Sequence, residues 1–96
     1  MEKGFFVLRV IRGRGRKVES IINRKVKVFD LEDSVVKVVR NKDFEEYLFV
    51  EMVVNSKVMG IFKGIDGCLG FLKNEDGILS MGENEMLRME VELGLN

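Results

Sequence analysis

Apolar positions along the chain alternate between two spacings. Phe5 to Ile11, Phe-Phe-Val-Leu-Arg-Val-Ile, is aromatic and β-branched and reads as a strand. Alternation places Phe6, Leu8 and Val10 on one face and Phe5, Val7, Arg9 and Ile11 on the other. Both faces are largely apolar, so part of the second one also needs cover. Arg12-Gly13-Arg14-Gly15 breaks the strand. From Arg16 the period becomes helical, with Val18, Ile21, Ile22, Val26 and Phe29 forming one stripe. Asp30, Glu32 and Asp33 make a polar connection to a second strand, Ser34 to Arg40. The turn residues Asn41, Lys42 and Asp43 lead toward a third strand, Tyr47 to Val54, which should pair with the second as an antiparallel hairpin. Its two faces read Leu48, Val50, Met52, Val54 and Tyr47, Phe49, Glu51, Val53.

A second helix follows from Val58, Ile61, Phe62 and Ile65, with Asn55 or Ser56 as its N-cap and Gly64 near its end. Gly60 inside it costs about 1 kcal/mol relative to alanine, so packing has to hold this helix. Cys68 to Leu72 reads as a fourth strand and Lys73 to Gly77 as a turn-rich loop. Glu83 to Leu93 reads as a third helix, with Met86, Met89 and Leu93 on its apolar side and either Ser80 or Gly82 at its cap. The order predicts an α+β fold: a ferredoxin-like β-α-β-β-α-β sandwich with an additional C-terminal helix covering the other sheet face.

Composition narrows this picture. A 96-residue chain has room for one domain, 1–96, burying roughly 60 to 65% of its unfolded surface. Hydrophobic residues at 46% beside charged residues at 33% are the balance of a folded domain. The early apolar run is interrupted by Arg9 and followed by a basic cluster with no cleavage site, so it is neither a signal peptide nor a membrane span, and a cytoplasmic location is expected. The single cysteine, Cys68, excludes an internal disulfide and a cysteine-rich zinc site, and it reads as a small core residue. Formal charge is zero but unevenly spread. Residues 1–29 carry nine Lys or Arg against two Glu, and the remainder is acidic by the same margin of seven. Such a field suits nucleic acid at one end and a basic protein surface at the other, unless the halves interleave and cancel.

Phe44 to Phe71 is a β-α-β unit with aromatics at its mouth and no residues for acid–base or metal chemistry. It therefore reads as a surface that binds a partner: no catalytic residue, no metal, no cofactor and no small-molecule substrate are expected. In Phe44-Glu45-Glu46-Tyr47, Leu48-Phe49-Val50-Glu51-Met52 and Gly70-Phe71, with the Phe5–Val10 strand, Arg12-Gly13, Arg16-Lys17-Val18 and Leu31-Glu32-Asp33 in order, the chain resembles the N-terminal (NGN) domain of the NusG family of transcription elongation factors. The resemblance spans most of residues 5–91. It departs where Glu45-Glu46 stands for the family's Pro-Gly and where the family's KOW-type barrel would follow Asn96. The resemblance implies a factor domain, one NGN-like unit without a KOW domain, that docks on the clamp helices of the largest subunit of RNA polymerase and modulates pausing or termination. Phe44 and Tyr47, with Phe49 beside them, would form the apolar pocket for the helix tip. Arg12, Arg14, Arg16 and Lys63 would touch the non-template DNA strand.

Two plainer readings stay open: Tyr47 and Phe49 packed beneath the third helix, and the arginine loop as a solvated turn. The rival function is an RNA-binding module of the RNA-recognition-motif type, whose third-strand signature Tyr47, Phe49 and Val50 resemble. It is disfavoured because Glu45 and Glu46 stand where a basic residue and Gly are needed, and Leu48 where a small residue is needed. An acylphosphatase-type enzyme lacks support, since the chain has no His and no anion-cradling loop paired with an Asn.

Overall fold

Each strand is amphipathic in its own way, and the computed structural model, which describes residues 3–40, 44–75, 77, 78, 80 and 81, shows how they assemble. β1 (Gly4–Val10) lies in the sheet interior. On its first edge it pairs antiparallel with β3 (Tyr47–Met52), matching Leu8 to Leu48 and Val7 to Phe49. β3 in turn pairs with β2 (Val35–Arg40) as the predicted hairpin, matching Val38 to Val50. A register shift between Val35 and Lys37 leaves Val36 nearly half exposed. β4 (Cys68–Phe71) lies on β1's other edge, giving the order β2-β3-β1-β4. Strand β3 stops two residues early, because Val53 turns its N–H to Ser34 O at 2.8 Å and Val54 is left exposed.

Helix α1 (Gly15–Val28) covers one face of this sheet, burying Val18, Ile22 and Val26 as the spacing required. Phe29, expected to complete the stripe, is instead 52% exposed. The reason is how the helix ends. Asp30 adopts a left-handed conformation at φ 57°, Asp30 N–H donates to Lys27 O at 3.2 Å, and Leu31 N–H donates to Val26 O at 2.8 Å. This is a Schellman closure with an aspartate where glycine is commoner. It turns Leu31 into the core in place of Phe29.

Helix α2 (Ser56–Gly60) is shorter than the expected run to Ile65. Asn55 is its cap, accepting from Val58 N–H at 2.9 Å. After Gly60 the chain continues in i→i+3 turns that still bury Ile61, Phe62 and Ile65. Lys25 secures those turns, its Nζ donating to Ile61 O at 3.0 Å and Lys63 O at 3.3 Å.

The main core lies between the helices and the sheet, where Phe71 meets Phe62 edge-on at 4.9 Å and Phe6 at 6.4 Å. Beyond Phe71 the expected loop is instead a small hairpin, β5 (Lys73–Asn74) and β6 (Gly77–Ile78). Then β7 (Ser80–Met81) pairs with β1 at Phe6 and Phe5, so Ser80 is a strand residue. The predicted third helix, 83–93, lies outside the described residues.

Candidate functional site

Phe44 to Tyr47 form a tight turn that leads into β3. Tyr47 N–H donates to Phe44 O at 3.1 Å, and Val10 N–H donates to Glu46 O at 2.9 Å, pinning the turn to the end of β1. Gly15 lies close beneath: a Cβ there would already touch Glu45 O at 3.6 Å and Arg40 Cδ at 3.4 Å. With this backing the turn holds Phe44 at 40% exposure. Tyr47 is half-buried and packs against the second, smaller apolar cluster, on the sheet face away from α1.

The structure separates the three aromatics that the sequence grouped. Phe49 is only 3% exposed, its ring packed with Val7 and bordered by Phe5, Val39 and Leu72. Of the two readings left open for it, packed or exposed, the structure has Phe49 packed, so it offers little of its own area beside Phe44 and Tyr47. The same burial weighs against the recognition-motif alternative, since base stacking needs an open ring face. Two apolar residues at this end of the sheet were not singled out from the sequence. Ile11, 47% exposed, continues β1's second face past Arg9, and Leu69, 56% exposed, sits at the β1–β4 register shift. Period-two alternation could have pointed to Ile11, whereas Leu69 depends on the irregular pairing between Arg9 and Val10.

Two of the four cations assigned to a nucleic acid turn toward carboxylates. Arg12 Nε meets Glu45 Oε2 at 3.0 Å, and Arg14 Nη1 meets Asp66 Oδ2 at 3.0 Å. The Arg12 guanidinium is held above its ordinary range by the hydrogen bond to Glu45 and, next, by the charges of Glu45 and Glu46. Arg16 points outward from α1 beside Lys17, Ser20 and Arg24. Lys63 is exposed after α2. Cys68, half-buried, has its thiol pushed up by burial, partly offset by a backbone hydrogen bond at Gly70 and by Lys25's charge. Among the described residues no group of three or more His, Cys, Asp or Glu converges as a metal site would require, and no helix is long and apolar enough to cross a membrane.

Comparison with known proteins adds an independent line. A family model described as transcription termination factor NusG matches residues 3–90. No curated protein matches the chain. Among solved structures, NusG of Thermotoga maritima is similar over 100% of this chain, at 23% identity and a TM-score of 0.79, and the chain spans 60% of that protein's length. The N-terminal domain of NusG from Methanocaldococcus jannaschii is similar at 15% identity and a TM-score of 0.71, over 88% of this chain and 98% of that one. A chain of an Spt4 heterodimer complex from Methanococcus jannaschii is similar at 14% identity and a TM-score of 0.75, over 97% of this chain and 98% of its own length. At these identities the structural likeness speaks for the fold.

Proposed function

The chain belongs to the NusG family, and from that premise we propose that it is the polymerase-docking domain of a transcription elongation or antitermination factor, acting in the cytoplasm without catalysis or cofactor. It seats the tip of RNA polymerase's clamp helices against Phe44 and Tyr47 and modulates pausing or termination. The supporting observation is the pinned turn: an aromatic 40% exposed on a segment tied to β1 and backed by α1 is preorganised to bury its ring in a partner at little conformational cost. Aromatics so placed dominate interfaces, each costing about 2 kcal/mol or more on truncation. Phe49 acts from beneath, filling the sheet face on which Tyr47 rests. Glu46 and Glu51 add negative charge suited to a basic partner surface. Arg12, Arg14, Arg16 and Lys63 remain the contacts for the non-template strand in this reading, with Arg12 and Arg14 exchanging a carboxylate for a phosphate.

The test is a pull-down with purified core RNA polymerase. Phe44→Ala with Tyr47→Ala should abolish capture while the far-UV circular dichroism and a cooperative melt persist. Capture retained by the folded double variant would overturn the assignment. Tight binding of short RNA without polymerase would instead favour the recognition-motif function.

A further inference from the structure

The turn before β3 lacks the residues that usually stiffen such a turn. Its closing hydrogen bond, from Tyr47 N–H to Phe44 O, makes Glu45 and Glu46 the two central residues of a four-residue turn. Among the described non-glycine residues only Asp30 has a left-handed φ, so Glu46 keeps a negative one. That excludes the type II form, whose second central residue takes a positive φ and is usually glycine. Proline is favoured at the first central position because its ring fixes φ there, and Glu45 brings no such restraint. Two adjacent carboxylates on so tight a turn also repel one another. The backbone bond from Val10 N–H to Glu46 O fastens the second half of the turn. Its first half meets Arg12, whose Nε donates to Glu45 Oε2 at 3.0 Å. Among the described residues no other side chain hydrogen-bonds to the turn. The same guanidinium lies within reach of the Glu46 charge as well.

We infer that Arg12 is the positioning residue of this turn: its pairing with Glu45 supplies the restraint that a proline would give and offsets one of the two carboxylates, holding Phe44 and Tyr47 in the arrangement a partner meets. The inference rests on the polymerase-docking reading and adds to it the residue that prepares the site. Its effect has a physical ceiling. Both side chains of the pair are largely open to solvent, so the pair shifts the populations of the turn by a small factor and weakens with salt. A small factor still counts, because the affinity of a site falls in proportion to the fraction of molecules in the competent form. Arg14, the other arginine of this loop, pairs with Asp66 and so serves the segment after α2 instead. The Arg12 tie belongs to the free protein and to the docking step, ahead of any exchange of that carboxylate for a phosphate.

The experiment measures binding of the full chain to immobilised core RNA polymerase free of nucleic acid, so that no phosphate contact of Arg12 contributes. Arg12→Ala should weaken binding about threefold and Arg12→Glu about tenfold, the second by adding repulsion to the lost attraction. Arg12→Glu with Glu45→Arg should return the affinity to within about twofold of wild type, and the Arg12→Ala gap should narrow as salt rises toward about 1 M. Lys27→Glu makes the same change in charge as Arg12→Glu at an exposed position in the last turn of α1 and should cost at most about twofold. A second readout needs no polymerase. Tyr47 is the chain's one tyrosine and there is no tryptophan, so the intrinsic emission of the free protein comes from this turn. Arg12→Ala should raise the acrylamide quenching constant of that emission and lower its anisotropy while the midpoint of a urea melt stays in place, and the charge-swapped pair should reverse both changes. No recovery in the charge-swapped pair, or a loss in Lys27→Glu equal to that in Arg12→Glu, would overturn the inference. If capture depends on Phe44 and Tyr47 while Arg12→Ala binds as wild type, docking stands and the Arg12 tie is lost. If Phe44→Ala with Tyr47→Ala still captures polymerase, the docking reading fails, and unchanged quenching in Arg12→Ala overturns the tie on its own.

Discussion

The two faces of the sheet are built differently. Under α1 and α2, Leu8, Leu48, Val50 and Met52 are wholly sealed and joined to the helices' apolar stripes. On the opposite face, among the described residues, only Val7 and Phe49 are buried, and their neighbours Phe5, Val39, Tyr47 and Leu72 are partly open. The face then ends in polar positions, with Arg9 paired to Tyr47 and Glu51 paired to both Phe5 and Lys37. The lesson is a division of labour along single strands. Alternate residues of β1 and β3 fill the helix-side core through one face and build a smaller, partly open apolar cluster through the other.

Substituting one residue type on both faces breaks or sharpens this comparison most strongly. Val50→Ala should cost about 2.5 kcal/mol, from lost transfer energy plus a cavity that its sealed surroundings cannot close. Val7→Ala should cost about 1 kcal/mol, because partly open neighbours can relax inward. Urea denaturation measures both, and equal losses would mean that the second face is as much a core as the first. Next in size is the helical cover itself. Asn55→Ala removes the α2 cap and should cost about 1 kcal/mol, with faster amide exchange confined to the residues after it. Protection lost equally around Phe49 would show that the faces are coupled.

The smallest effect concerns Cys68, which packs at the margin of the helix-side core. Burial raises its folded thiol pKa, so the neutral thiol is favoured in the native state. The resulting stabilisation is fully present below the unfolded pKa and is lost as pH rises through the higher folded value. The pH profile of alkylation should accordingly have its midpoint at higher pH in the native protein than in denaturant. A native midpoint at or below the denatured one would remove this residue from the sealed side.

Much of this architecture was legible beforehand. The strand at Phe5–Val10, the stripe Val18, Ile22, Val26 and the hairpin around Tyr47–Met52 follow from period alone, since each buries one side of a regular element. The misses have separate causes. Phe29 yielded its core position to Leu31 because an aspartate took the left-handed turn that a sequence reader looks for at glycine. β5, β6 and β7 are two-residue strands, too short for any alternation to register. At the turn before β3 the sequence grouped Phe44, Tyr47 and Phe49, and it could not distinguish Phe49's buried ring from the more open ones of Phe44 and Tyr47.

By itself, then, the sequence determined which residues are apolar, with what period, and hence the order of the elements and the excess of positive charge in the first third of the chain. Tertiary structure alone decided which aromatics keep solvent access and which arginines meet carboxylates. Both outcomes depend on neighbours distant along the chain, Val7 against Phe49, Glu45 against Arg12 and Asp66 against Arg14. A local pattern sets what each side chain can do, and its partner across the fold sets what remains for it to do.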